Sequence, residues 1–123
     1  MNLLLDTHVL LWWVHGERIQ REAAAAIADI DNVKFVSAAS IWEISIKTAR
    51  GKLSVDEAFD SVVEDDFEPL PITYADARLA GSLPDHHRDP FDRMLVAQAL
   101  NYDLLLVTRD PQIGLYGANI LPA

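Results

Sequence analysis

The sequence contains no cysteine. That excludes a disulfide framework and thiolate chemistry, and it is compatible with a reducing cytoplasm, the expected location. No apolar run is long enough to span a bilayer, and no charged leader precedes an apolar stretch, so neither a membrane span nor a signal peptide is expected. Glycine and proline number only five and six in 123 residues, and no stretch is rich enough in either to act as a linker. Positive charge is also scarce: ten Lys and Arg face nineteen Asp and Glu, a formal charge of −9. Broad phosphate contact usually leaves a basic footprint, which is absent here. A carboxylate cluster that recruits divalent cations is one way around that deficit.

What is present is a chain half hydrophobic in composition, of a length that suits one domain with a real core. Short apolar runs at 2–6, 34–37, 68–72, 104–108 and 119–122 have strand length. Helical patterns fill 7–15, 18–29, 39–50, 55–66, 73–82 and 90–101. Such alternation predicts βαβ crossovers and a mostly parallel sheet covered on both faces, in a single α/β domain over 1–123. The unbroken leucines of 3–5 and 104–106 suit strands buried on both sides. In folds of this kind ligands collect just beyond the carboxyl ends of strands. The polar loop "SLPDHHRDP" (82–90) is the clearest irregular segment.

Five acids stand near such places, and each has a plain structural explanation. Asp6 follows the first strand and can cap the next helix, a contribution of about 1 kcal/mol. Glu43 precedes Lys47 by four residues, the favourable order for a helical surface pair. Asp89 before Pro90 reads as an N-cap with proline at the first helical position. Asp92, three residues on, stands where a capping-box partner would, but it also lies in line with Val96 and Ala99 on the face that should meet the sheet. Asp110 before Pro111 reads as another cap.

The combination of Asp6, Glu43, Asp92 and Asp110 is harder to explain by capping alone. A parallel sheet would bring all four to one end, where mutual repulsion raises carboxylate pKa values. A divalent ion removes the conflict. An oxygen-only donor set suits Mg²⁺ or Mn²⁺, and such a centre can polarise a phosphate and activate water.

The stretches "LLLDTHVLLW", "SAASIWEISIKTARGKL", "DPFDRMLVAQA" and "LLLVTRD" occur in this order across essentially the whole chain. Together they resemble the PIN-domain ribonucleases, and among them the VapC-like toxins of bacterial toxin–antitoxin pairs. The resemblance implies a three-layer α/β/α sandwich and metal-dependent hydrolysis of an RNA phosphodiester, leaving a 5′-phosphate and a 3′-hydroxyl. Asp6, Glu43 and Asp92 match the family's three main acids and Asp110 its more variable fourth. Thr7 and Thr108 match positions where a hydroxyl supports the site, and Asp89 belongs to the "DPFD" form of the motif. The resemblance further implies tRNA or another structured RNA as substrate, a small antitoxin covering the acids, and a homodimer. Lys47, Arg50, Lys52, Arg88, Arg93 and Arg109 neighbour the acidic motifs and are candidates for RNA contact, against the ordinary alternative of surface solubility. His86 and His87 are placed to touch phosphate or substrate but read more simply as exposed loop residues, and Trp12, Trp13 and Trp42 read as core or interface in preference to base-stacking platforms.

Three rivals compete with that reading. A haloacid-dehalogenase-type phosphatase needs a second aspartate two residues after Asp6, where this chain has His8. A receiver domain expects an acidic pair at the first strand's end, and only Asp6 is present. A PIN-fold binding module with little turnover is the remaining alternative.

Overall fold

The computed structural model describes all 123 residues. Five strands, β1 (Asn2–Leu5), β2 (Val33–Ser37), β3 (Glu68–Leu70), β4 (Leu105–Thr108) and β5 (Ile120–Pro122), form one sheet in the order β3-β2-β1-β4-β5. Every neighbouring pair is parallel, with Leu3 opposite Lys34 on one side and Leu105 on the other. Six helices fill the crossovers: α1 (Thr7–Val14), α2 (Arg21–Ala28), α3 (Ala38–Ala49), α4 (Phe59–Asp66), α5 (Tyr74–Ser82) and α6 (Pro90–Tyr102). None is long and apolar enough to cross a membrane.

Alternation along β1 divides the core into two layers. Leu3 and Leu5 point to one face and pack with Val9 and Leu10 of α1, Ala23 and Ile27 of α2, Ile44 of α3 and Phe59 of α4. Leu4 points to the other face and packs with Leu106, with Leu95, Val96 and Ala99 of α6, and with Ile113. All three leucines are fully buried, as the unbroken apolar run predicted. The arrangement is the three-layer α/β/α sandwich.

Element positions follow the predicted ones, with two later helix starts and one addition. The pattern at 18–29 begins its helix at Arg21, after an extended Gln20 that makes no side-chain cap bond. The pattern at 55–66 begins at Phe59, because Asp56 first closes a turn: its carboxylate accepts from the Ala58 N–H and its carbonyl from the Phe59 N–H. A single 3-10 turn at Ile113–Tyr116 follows β4 and seals the second layer with buried Ile113.

On the α5–α6 side a buried polar cluster replaces apolar packing. Asp76 is 0 % exposed. It completes a capping box with Thr73 at the start of α5 and accepts hydrogen bonds from Asn101, Gln98 and Tyr102 of α6. Burial by itself would raise its pKa. The hydrogen bonds from Asn101, Thr73, Gln98 and Tyr102 outweigh that and hold the carboxyl below the ordinary range.

Candidate active site

The chain leaves β1 toward β2 on one side of the sheet and returns through β4 on the other, so the carboxyl ends of β1 and β4 flank the point where strand order reverses. Asp6 is the residue after β1 and is only 4 % exposed. It does cap α1: Oδ1 accepts from the Val9 N–H at 2.9 Å. Its other oxygen, Oδ2, accepts from the hydroxyl of buried Thr108, the last residue of β4. The Thr108 Oγ1 in turn accepts from the Asp110 N–H at 3.1 Å. Thr7 donates to Ser40 Oγ at 2.9 Å and thereby ties the start of α1 to α3.

Glu43 arrives from the adjoining crossover. Ser37 ends β2 and caps α3, accepting from the Ala39 N–H, and that register turns Glu43 inward. The expected i,i+4 pair exists, with Lys47 Nζ 2.7 Å from Glu43 Oε2. The surface picture that came with it does not hold: Glu43 is 3 % exposed, and its Oε1 is buried with no hydrogen-bond partner. An orphaned carboxylate oxygen is costly unless something positive completes it. Lys47 has its pKa raised, first by the Glu43 hydrogen bond and then by the charges of Glu43, Asp89 and Asp92, against an opposing effect of burial.

From α6 comes Asp92. Asp89 caps this helix, its Oδ1 accepting from Phe91 and Asp92 N–H groups, with Pro90 at the first helical position. Asp92 therefore faces inward and is not a capping-box partner. Burial pushes its carboxyl up to about 7; the charges of Asp89, Asp6 and Glu43 add to this and His87 opposes it. That set of neighbours brings the acids of the first three motifs to bear on one carboxyl group, with Asp110 reached through His87.

His87 is the site residue that the sequence pattern did not reveal. Its Nε2 lies 2.8 Å from Asp110 Oδ2 and 3.1 Å from Asp92 Oδ2. One ligand atom from each of these three residues falls within 4.8 Å of the others. The ring's Nδ1 accepts from the Asp89 N–H at 3.1 Å, so the hydrogen of the neutral ring resides on Nε2. A histidine that ligates metal normally donates from its far nitrogen. His87 is thus built to donate its one N–H to Asp110, with Asp92 Oδ2 close beside the same nitrogen. The available signal was proximity to the "DPFD" motif; the bond to Asp110 depends on a loop folding back onto the end of β4. His86, by contrast, is exposed and packs edge-on against Tyr116.

The six candidate bases separate. Arg93 is a correction: its guanidinium donates to the carbonyls of Ala80, Leu83, Pro84 and His87 and pins the loop before α6, leaving nothing for RNA. Arg109 stacks on Trp12 with its guanidinium carbon 4.0 Å from the ring centroid, and donates to the carbonyls of Ala123 and Arg18. Lys47 is paired with Glu43. Arg50, Lys52 and Arg88 are exposed. Trp12 and Trp13 pack against the first core layer, whereas Trp42 is 61 % exposed and meets only Phe91 edge-on among aromatic rings.

The donor set fits a hard divalent cation. Glu43 Oε1 is unpartnered, Asp92 is crowded by like charge, and the surrounding ligand atoms are oxygens. Asp110 is more fully engaged, with Oδ1 accepting from Gln112 N–H and Oδ2 facing His87.

Residues 3–118 match the PIN domain family. The chain is 28% identical over 117 residues to Ribonuclease VapC22 of Mycobacterium tuberculosis, covering 91% of this chain and 89% of that protein. Among solved structures, it resembles a chain of VapBC2 from Rickettsia felis bound to a promoter DNA fragment, with a TM-score of 0.75, 13% identity and coverage of 99% and 98%. It also resembles a chain of DNA-bound VapBC from Salmonella typhimurium, with a TM-score of 0.74, 17% identity and the same coverage.

Proposed function

The chain belongs to the PIN-domain family, and from that premise we propose that it is a divalent-metal-dependent ribonuclease acting as the toxin of a toxin–antitoxin pair. The observation that carries the chemistry is the buried, unpartnered Glu43 Oε1 in a group of acids that already strain one another, an arrangement that calls for a cation. The similarity to a VapC ribonuclease and to VapBC complexes supports the RNA substrate and a small antitoxin partner.

Asp6, Glu43 and Asp92 would hold Mg²⁺ or Mn²⁺. When bound, the ion supplies Lewis acidity toward a phosphate oxygen and toward water. The protein's own groups do the rest. Thr108 fixes the rotamer of Asp6 and the start of the Asp110 turn together. His87 holds the carboxylates of Asp110 and Asp92 at a set separation. Asp110, its Oδ1 occupied by a backbone N–H, orients the attacking water instead of serving as a principal ligand. Asp89 acts through its charge on Asp92 and through the cap on α6. Positioning of this kind is most of what phosphodiester hydrolysis asks of a protein.

The test is incubation of purified protein with structured RNAs, tRNA among them, with Mg²⁺ or Mn²⁺ and then with chelator. Metal-dependent cleavage abolished by Asp6→Asn supports the reading; cleavage that survives chelation, or equal activity of the variant, refutes it. Metal binding without cutting of any RNA favours a PIN-fold binding module.

A further inference from the structure

Beside the acidic site, on the other side of the β4 end, lies a pocket of about 510 Å³ lined by Arg18, Ile19, Gln20, Arg21, Arg109 and Ala123. Three of the chain's ten basic residues meet here, in a protein with a formal charge of −9. No carboxylate side chain lines the pocket, and none of the three arginines forms an ion pair with an acid. A free carboxylate on Ala123 would cancel one of these charges and leave two. Like charges gathered without counter-charges repel one another, which is a cost unless an anion joins them.

Two further features make the pocket an anion receptor and not only a basic surface. The Arg109 guanidinium is held in place, stacked on Trp12 and bonded to the carbonyls of Ala123 and Arg18, so little side-chain freedom is lost on binding. Gln20 and Arg21 are the N-cap and first residue of α2, and the Gln20 side chain makes no cap bond. The start of α2 therefore lacks a side-chain cap at the pocket, and the one acid in its first turn, Glu22, does not line it.

Position gives the ligand its identity. Arg109 stands between Thr108 and Asp110, each about 3.8 Å away along the chain; Thr108 bonds Asp6 and Asp110 meets His87, while the Arg109 guanidinium stacks on Trp12. An RNA strand whose scissile phosphate sits at the acids would carry a neighbouring phosphate past this pocket. We propose that Arg18, Arg21 and Arg109 form a subsite for an RNA backbone phosphate flanking the bond that is cut. The subsite rests on the ribonuclease reading and deepens it: three arginines without acidic partners stand next to the acidic motifs of a net acidic chain.

The experiment compares wild type with Arg18→Gln/Arg21→Gln, residues outside the acidic cluster, and with Arg18→Lys/Arg21→Lys. Circular dichroism and thermal unfolding verify that each variant is folded. Binding of a fluorescein-labelled RNA is followed in chelator, so that nothing is cut, across a salt series; kcat and KM are then measured with Mn²⁺. The Gln pair should raise the Kd and KM about ten-fold and leave kcat within about two-fold. It should also flatten the log–log salt slope by about 0.7 for each phosphate that is no longer neutralised. The Lys pair should recover much of the affinity. Unchanged Kd, KM and salt slope in the Gln pair, with wild type cutting normally, overturns the subsite and leaves the ribonuclease standing. Weakened RNA binding in the Gln pair, with a wild type that cuts nothing, keeps the subsite and overturns the ribonuclease. Intact RNA binding combined with reduced affinity for an acidic protein partner overturns it in favour of protein docking.

Discussion

Asp6 and Thr108, 102 residues apart in the chain, share a buried hydrogen bond at the adjoining carboxyl ends of β1 and β4. The threonine hydroxyl donates to Asp6 while its oxygen receives the Asp110 N–H, so one side chain sets two acids. Asp6 uses its other oxygen to cap α1. Cap and ligand are therefore compatible roles for a single carboxylate. Asp6→Asn keeps an oxygen for the Val9 N–H and removes the charge. Its thermal midpoint should stay within a few degrees of wild type, while cleavage should fall by at least about 100-fold.

Glu43→Gln tests the orphaned oxygen directly. In wild type, Mn²⁺ at about 100 times its Kd should add about 2.7 kcal/mol to stability, seen as a raised thermal midpoint. The variant should lose most of that gain. A full metal-induced rise in Glu43→Gln would remove Glu43 from the ligand set.

The raised pKa of Asp92, about 7, has a definite consequence for stability. The native state holds an extra proton between the ordinary carboxylate value near 4 and about 7. Stability of the ion-free protein should therefore fall as pH rises through that window, by an amount on the order of a few kcal/mol. Asp92→Asn abolishes this slope: it should melt above wild type at pH 8 and level with it near pH 4. Metal affinity runs the other way, strengthening as pH rises through 7, because the ion needs the carboxylate. Calorimetric titration at several pH values reads both signs.

His87→Ala should leave the fold in place and loosen Asp110 and Asp92. Metal affinity should weaken by about 10-fold or more, the usual size of an outer-shell loss. His87→Gln, which can still donate a hydrogen bond, should recover part of it. Equal metal affinity in all three proteins would reduce His87 to a loop residue.

Asp76 belongs to a different category, since its partners are structural. Asp76→Ala leaves the buried Gln98 amide without this acceptor, removes the bonds from the more exposed Asn101 and Tyr102, and should cost about 2 kcal/mol, measured by urea unfolding. Because its pKa is held low in the fold, its contribution is present above about pH 4 and lost as pH falls below that.

The sequence by itself determined the alternation of strands and helices and picked out the acids as candidates. Unbroken leucines in β1 and β4 could only be strands buried on both faces, and strands alternating with helical patterns require parallel crossovers. Caps written in local residues such as Asp6, Asp89 and Pro90 were equally legible because their hydrogen bonds span two or three positions. Glu43 shows the limit. Its i,i+4 partner was visible in the spacing, but its burial depends on how α3 meets α6 and β1, which no local pattern records. Arg93 and His87 exchanged roles for the same reason: one is consumed by carbonyls of a folded-back loop, the other is carried by that loop onto Asp110, 23 residues away. Residue types and periodicity specify which groups can carry charge and which face turns inward. Distances between groups far apart in sequence are set only when the sheet brings strand ends together; that is what lets Asp6, Glu43 and Asp89 act on Asp92 and sets His87 between Asp92 and Asp110.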